Sequence, residues 1–179
     1  DLIIEGKSKG SGFNNVSGGH CVLRGGIEGA TSDYIASHQG GGLIEIYGDI
    51  PHNIGSFAGG ISTCQTGGEL RIFGNVYCTI NLNQEGGKTY VKGNVTGGAT
   101  SFGVGPQKTG GETIIEGNVL GIETETYTGL KRSSKYIEGN LVGYMIRGGI
   151  ITVYGNVEGS VAHNAQVNSA SFRFKIVWS

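Results

Sequence analysis

A ten-residue pattern of glycine, polar and apolar positions recurs along the chain. In residues 110–119, two glycines precede five residues whose fourth is aliphatic, and Gly, Asn and a second aliphatic residue follow. A short constant segment between spacers of variable length predicts a repeat architecture. The frame, in full, looser or truncated form, fits eight segments: 1–6, 18–27, 41–50, 67–76, 86–95, 110–119, 132–141 and 148–157.

The aliphatic positions predict that each copy is a β-strand with one buried face. The second aliphatic position of a copy comes four residues after the first. An even spacing places both side chains on the same face of an extended chain. The first set is Ile4, Leu23, Ile46, Ile72, Val91, Ile115, Ile137 and Val153, and the second is Ile27, Ile50, Val76, Val95, Val119, Leu141 and Val157.

Stacking of these copies predicts an all-β fold, a single-stranded parallel β-helix of about eight coils with lateral loops. Equal positions in successive copies then lie about 4.8 Å apart. At outward positions this pairs Glu5 with Arg24, Glu45 with Arg71, Tyr47 with Phe73, and Lys92 with Glu116. At the turn it predicts a ladder of Asp49, Asn75, Asn94, Asn118, Asn140 and Asn156.

The end of the chain departs from the repeat, which divides the sequence into solenoid repeats over 1–166 and a terminal strand within 167–179. Phe172, Phe174, Ile176 and Trp178 alternate with Arg173 and Lys175, so the apolar residues share one face. Because the end of a stack leaves an open strand edge, it must be covered or paired. The strand either caps the last coil or pairs with another subunit.

Composition narrows the classes of function. The net charge is −1 with both signs dispersed, and no run of about 18 apolar residues occurs. We therefore expect no nucleic-acid partner and no membrane insertion. Three cysteines without C-x-x-C spacing predict neither a disulfide framework nor a zinc site. The low charge and the richness in Gly, Asn, Ser and Thr favour an extracellular or virion-surface location.

The segment 142–159, VGYMIRGGIITVYGNVEG, resembles the glycine-rich repeats of the glutamate synthase C-terminal domain and of the corresponding β-helical subunit of formylmethanofuran dehydrogenase. Both families run through V-G-x-x-M-x-G-G-x-I-x-V-x-G-N-V, although Met145 lies one residue early here. The resemblance implies a right-handed β-helix that serves as a structural and subunit-contact element. It also implies one alternative role, as a structural subunit of a larger oxidoreductase or amidotransferase complex.

No group of residues predicts catalysis. His38 and His52 lie in successive spacers, but nothing in their spacing brings together the three or four ligands of a metal site. Glu123 and Glu125 are the nearest pair of carboxylates for glycoside hydrolysis, and a solvated surface explains them equally well. We therefore predict a non-enzymatic protein without catalytic residues, cofactor or metal.

Apolar residues at outward positions predict an interface. Tyr90, Ile114 and Tyr136 occupy the same position in three successive copies and would form a strip. A spacer loop that covers the strip is the alternative explanation. With the terminal strand, the candidate interface residues are Tyr90, Ile114, Tyr136, Phe172, Phe174, Ile176 and Trp178.

These features predict a structural or assembly module, a β-solenoid scaffold that self-associates as a homo-oligomer or polymer or contacts another protein. The alternative is an extracellular or phage-tail adhesin domain that binds glycans. Aromatic side chains in the spacers would then stack on sugar rings. The candidates for that contact are Tyr34, Phe57, Phe102 and Tyr127.

Overall fold

The structure is a computed structural model that describes residues 1–9, 13–28, 35–51, 60–61, 64–81, 83–96, 104, 107–120, 122–128, 131–138, 140–142, 148–157, 159–161 and 172–176. Residues 60, 61, 79, 107, 122–128, 131–138, 140–142, 159–161 and 172–176 are described by their backbone alone. Within these ranges the chain forms twenty strands and no helix.

The strands are β1 Leu2–Ile4, β2 His20–Leu23, β3 His38–Gln39, β4 Leu43–Tyr47, β5 Gly60–Ile61, β6 Cys64–Gln65, β7 Glu69–Phe73, β8 Thr79–Ile80, β9 Asn83–Gln84, β10 Lys88–Val91, β11 Val95–Thr96, β12 Gln107–Lys108, β13 Glu112–Ile115, β14 Val119–Leu120, β15 Ile122–Thr128, β16 Lys131–Glu138, β17 Asn140–Val142, β18 Gly149–Val153, β19 Gly159–Val161 and β20 Phe172–Ile176.

The main sheet contains eight parallel strands in the order β1-β2-β4-β7-β10-β13-β18-β20. A second parallel sheet, β12-β9-β6-β3, is built from residues that precede the paired glycines. A third row follows the strands of the main sheet and joins Ile50, Val76 and Val95 through parallel bridges, with β11 beside β14. Each repeat thus contributes to several parallel rows, and the all-β prediction is confirmed for the described residues.

The hydrophobic core lies between these rows. Inward residues of the main sheet such as Ile46, Ile72 and Ile115 are fully buried, and so are Val76 and Val95 of the third row. The alternation of aliphatic and polar residues in each copy therefore places the aliphatic residues inside, as the sequence predicts.

The second glycine of each pair is required by the close approach of neighbouring repeats. Gly68 has φ +70° and Gly111 has φ +71°, a region that favours glycine. A Cβ atom on Gly68 would lie 2.6 Å from the carbonyl carbon of Gly41 in the preceding repeat. Any side chain here would collide with the backbone of the repeat below.

This requirement explains why the segment 132–141 does not join the main sheet. The prediction that it forms a coil between 110–119 and 148–157 is wrong, because β13 pairs directly with β18. Residues 131–138 instead form β16, which pairs antiparallel with β15. Ser133 stands where Gly111 and Gly149 adopt positive φ in the neighbouring copies. The residues between the copies 110–119 and 132–141 consequently contain β15.

The predicted ladder at the turn is present, but it passes from Asn118 directly to Asn156. In each rung a side-chain oxygen accepts a hydrogen bond from the backbone N–H of the next repeat. The acceptor-to-donor distances are Asp49–Asn75 2.7 Å, Asn75–Asn94 2.9 Å, Asn94–Asn118 2.8 Å and Asn118–Asn156 2.8 Å. Asn140, which lies in β17, is not a rung of this ladder.

Replacing Asn94 with alanine should lower the free energy of unfolding by about 2 kcal/mol, since the backbone N–H and side-chain amide of Asn118 both lose their acceptor. Asn156→Ala is the matched control, because Asn156 is exposed and donates its backbone N–H without needing its side chain. Urea denaturation of both variants measures the difference. Equal losses in the two variants would show that the ladder does not stabilise the turn.

The terminal strand β20 is the last strand of the main sheet and pairs in parallel with β18 of the same chain. Phe174 and Ile176 are in register with the buried residues Ile151 and Val153. The apolar positions of the terminal strand therefore continue the inward rows of the sheet.

Candidate functional site: the outer face of the main sheet

The outward residues of the main sheet form a regular array, which we call the outer face. They point away from the core because they alternate with the buried residues of each strand. Along the six strands β2, β4, β7, β10, β13 and β18, with the residue after β2, β10, β13 and β18, the array is His20, Val22, Arg24, Leu43, Glu45, Tyr47, Glu69, Arg71, Phe73, Lys88, Tyr90, Lys92, Glu112, Ile114, Glu116, Ile150, Thr152 and Tyr154. Val22 and Thr152 are buried, and the other members are at least partly exposed.

Apolar side chains cross this face obliquely as a line, the aromatic strip, which consists of Tyr47, Phe73, Tyr90 and Ile114. Tyr47 and Phe73 lie in the outward row at the ends of β4 and β7, and Tyr90 and Ile114 lie in the central row. The rings of Tyr47 and Phe73 stack with centroids 4.6 Å apart and planes inclined by 15°. The ring of Phe73 lies 6.2 Å from that of Tyr90. Ile114 is in register with Tyr90 on the next strand. The predicted pairing of Tyr47 with Phe73 is confirmed.

The strip differs from the predicted one at Tyr136. Thr152 of β18, not Tyr136, is in register with Ile114, because the segment that carries Tyr136 has left the sheet for the β15–β16 hairpin. The prediction that Tyr136 extends the strip is therefore wrong. Phe73 and Tyr47 extend it in the opposite direction.

Ion pairs border the strip on the side of β2, β4 and β7. Arg71 Nε lies 2.9 Å from Glu69 Oε1, and Arg71 Nη1 lies 3.4 Å from Glu45 Oε1. His20 Nε2 lies 3.0 Å from the other carboxylate oxygen of Glu45. The hydrogen bond to Glu69 is the main cause that raises the pKa of Arg71. These contacts hold the guanidinium in one place beside the aromatic rings.

The neighbouring strands β10 and β13 carry outward side chains of opposite charge. On each strand, two charged residues lie on either side of one apolar residue. β10 presents Lys88, Tyr90 and Lys92, all outward and at least partly exposed. β13 presents Glu112, Ile114 and Glu116 in the same register. We call these six residues the charged patch.

Contacts within the charged patch follow its register. Lys88 Nζ lies 3.6 Å from Glu112 Oε2. Burial, followed by the hydrogen bond from the Tyr90 hydroxyl to the Glu116 carboxylate, raises the pKa of Tyr90. The sequence places Lys92 beside Glu116, but sequence reasoning missed the pairing of Lys88 with Glu112. Lys88 and Glu112 occupy the same position of the ten-residue pattern in successive copies and have opposite charge. That opposite charge was the signal that could have revealed the pair.

A buried ladder of polar side chains runs beneath the second sheet. The amide nitrogen of Gln65 donates to Gln39 Oε1 at 3.2 Å, and that of Gln84 donates to Gln65 Oε1 at 2.7 Å. Each glutamine also donates to a backbone carbonyl of the main sheet, namely that of Glu69, Lys88 or Glu112. Sequence reasoning missed this ladder because glutamine is usually found on the surface.

Lys108 occupies the fourth rung. Its Nζ donates to Gln84 Oε1 and lies 3.5 Å from Thr113 Oγ1. The side chain is fully buried, and burial lowers the pKa of Lys108 to about 7, although the charge of Glu112 raises it. Because this amine has no solvent-accessible surface, no substrate reaches it in the folded protein. Its role is structural.

An apolar cavity of about 320 Å³ lies beneath β1. It is lined by Leu2, Ile4, Ser8, Phe13, Asn14, Leu23, Ile27 and Ile35. None of these described side chains titrates near neutral pH or ligates a metal ion strongly.

The remaining predicted site residues are placed only in part. Tyr34, Phe57, Phe102 and Trp178 lie outside the described residues, while Tyr127, Phe172, Phe174 and Ile176 are described by their backbone. Among the described residues, no group of three His, Cys, Asp or Glu side chains could hold a metal ion. No helix in the described ranges is long and apolar enough to cross a membrane.

Comparison with known proteins gives no match: no family model, no curated protein and no solved structure matches this chain significantly. The resemblance of residues 142–159 to the glutamate synthase and formylmethanofuran dehydrogenase repeats therefore stays a prediction. The candidate site is defined by its geometry alone.

Proposed function

We propose that this chain is a non-enzymatic β-solenoid scaffold that associates with further copies of itself through the outer face. The parallel rows and the constant register from β2 to β18 support the solenoid. Right-handed winding is the expected form, since parallel strands of one sheet are connected almost always by right-handed crossovers.

The aromatic strip is the observation that carries this proposal. Tyr47 retains 39% of its surface exposed, and Phe73, Tyr90 and Ile114 are each partly exposed. An apolar line across a flat, hydrogen-bonded face is typical of a contact surface. The sheet also holds these side chains in fixed positions, so little conformational entropy is lost on binding.

The orientation of the rings favours a protein partner over a sugar. Tyr47 and Phe73 lie on adjacent strands and stack face to face, so their ring faces are turned toward each other. Stacking on a sugar uses an open ring face, whereas packing against a second protein surface also uses the ring edges. The stacked pair therefore favours association between protein surfaces.

Light scattering over a concentration series tests the proposal. The mass of the unaltered protein should rise with concentration, while Tyr47→Ser combined with Tyr90→Ser should require at least tenfold higher concentration for the same mass, because its apolar contact is lost. Tyr77→Ser is the matched control, since Tyr77 is 37% exposed but lies outside the main sheet. We expect it to behave as the unaltered protein.

A monomer at all concentrations, or equal association of the double variant, would contradict the proposed function. Thermal melts of the three proteins show whether each variant keeps the fold. Binding of a glycan panel to the unaltered monomer, lost in the double variant, would replace self-association by the adhesin function.

A further inference from the structure

The charged patch is its own complement. One strand of the patch is basic and the next is acidic, and each has an apolar residue between its two charges: Lys88, Tyr90 and Lys92 on β10, and Glu112, Ile114 and Glu116 on β13. A surface of this kind fits a second copy of itself in a two-fold arrangement, in which the same patch serves both partners.

We propose that two copies pack face to face about a two-fold axis that runs parallel to the strands, midway between β10 and β13. This inference rests on the proposed self-association and specifies its geometry. Rotation about that axis preserves the strand direction and exchanges the two strands. Lys88 then meets Glu112 of the second copy, and Lys92 meets Glu116 of the second copy. Tyr90 packs on Ile114 of the second copy at the centre.

The arrangement alternates the charges both across the sheet and across the interface. Within one chain Lys88 already lies 3.6 Å from Glu112. The second copy adds the same pair in the opposite order, so each lysine is flanked by carboxylates from both copies. Opposite charges that face one another across an interface fix its register, and like charges exclude competing registers.

Shifting the axis by half a strand spacing in either direction destroys this complementarity. An axis directly above β10 would place Lys88 and Lys92 opposite the same two lysines of the second copy. An axis directly above β13 would place Glu112 and Glu116 opposite the same two glutamates. An axis along the stacking direction is also excluded, since it exchanges the two ends of each strand. Lys88 would then face Lys92 of the second copy.

An axis between β7 and β10 satisfies fewer residues. It places Glu69 opposite Lys88 of the second copy, which is favourable. It also places the Glu45 carboxylate against Ile114 and the Glu112 carboxylate against Leu43. Covering a carboxylate with an apolar side chain removes it from water without compensation. The axis between β10 and β13 places one carboxylate, that of Glu69, against an apolar residue, Ile150 of the second copy, and is therefore preferred.

The contact is small, so the dimer should be weak. Four strands of five residues cover about 300 Å² of each face, from the spacing of strands and residues in a sheet. This lies below the roughly 800 Å² per partner of a standard specific interface and in the range of weak or transient contacts. Lys88 and Glu112 have side chains that are 44% and 39% exposed, and salt screens such pairs. Association should therefore fall as ionic strength rises.

Exchange of charges between two variants tests whether the charged patch forms the contact. The acidic variant carries Lys88→Glu and Lys92→Glu, and the basic variant carries Glu112→Lys and Glu116→Lys. Each variant alone places like charges against its own copy, so we expect self-association at least tenfold weaker than in the unaltered protein. In an equimolar mixture every contact is again between opposite charges, and the association should recover as a one-to-one heterodimer.

The outcomes separate the two proposals. If the unaltered protein associates but the mixture does not recover, the proposed axis is wrong while the scaffold function stands. If the unaltered protein is a monomer throughout, both proposals fail. Each variant also places like charges on neighbouring strands of one chain, so thermal melts must show that it folds. If either does not fold, Lys92→Glu mixed with Glu116→Lys repeats the test at the exposed ends of the patch.

Discussion

Replacing Lys108 with glutamine should raise the melting temperature at pH 6 by about 10 °C, which corresponds to about 3 kcal/mol for a chain of this size. The substitution removes a buried amine that is protonated at this pH. It also extends the ladder of Gln39, Gln65 and Gln84 by one rung. By the geometry of the preceding rungs, the new amide donates to Gln84 Oε1 and to the backbone carbonyl of Ile150.

The same substitution should remove most of the pH dependence of stability between pH 7 and 10. The pKa of Lys108 is about 7 in the folded chain and 10.5 in the unfolded chain. Between these values the unfolded state binds more protons than the folded state, so stability rises with pH. The rise is on the order of 4 kcal/mol, and below pH 7 the cost of the buried charge is present in full.

A thermal melt at pH 6 measures the first effect, and chemical denaturation at pH 6, 8 and 10 measures the second. Lys7→Gln is the matched control, because Lys7 is exposed and lies outside the charged patch, so it should leave the pH profile of the parent protein unchanged. Lys108→Gln should give a flat profile. A variant that is less stable at pH 6, or that keeps the slope of the parent, would show that the amine of Lys108 is not the group that titrates.

Replacing Gly68 with alanine should cost on the order of 4 kcal/mol and lead to partial unfolding at 37 °C. Two causes add at this position. Its φ of +70° is strained for any L-residue, and the new Cβ would lie 2.6 Å from the carbonyl carbon and oxygen of Gly41. Backbone atoms of the neighbouring repeat cannot move away without breaking the sheet ladder.

Two other glycines separate strain from collision. Gly19 has φ +77°, but beyond its chain neighbours no atom lies within 4 Å of the position that a Cβ would take, so Gly19→Ala should cost only the strain, about 1 kcal/mol. Gly40 has ordinary backbone geometry and a nearest contact of 3.7 Å, so Gly40→Ala should be almost neutral. Urea denaturation should rank the losses as Gly68, Gly19 and Gly40. Equal losses at Gly68 and Gly19 would show that repeats do not approach as closely as the structure has them.

Much of the fold follows from the sequence because a strand's alternation is local. Inward positions such as Leu23, Ile72 and Val95 could be identified one copy at a time, and all three are buried. Equal positions then had to be neighbours, which predicted the pair Tyr47–Phe73 and the ladder from Asp49 to Asn118.

Which repeats are adjacent in the stack could not be predicted from the alternation within each copy. The segment 132–141 has the aliphatic positions of a copy, but a copy also needs glycines where the preceding repeat approaches. Ser133 is not a glycine, so its Cβ would collide with the backbone of the preceding repeat. That collision exists only when two repeats are stacked. This change moved Tyr136 out of the strip and brought Thr152 beside Ile114.

The sequence by itself determined most strands of the main sheet, their inward faces and most of the outer face, because these depend on the identity of residues within ten positions. Only the tertiary structure decided which repeats are adjacent and which polar residues lie inside. Lys108 and Gln84 resemble surface residues in the sequence, yet the stack buries both, since hydrogen bonds between successive repeats satisfy their polar atoms.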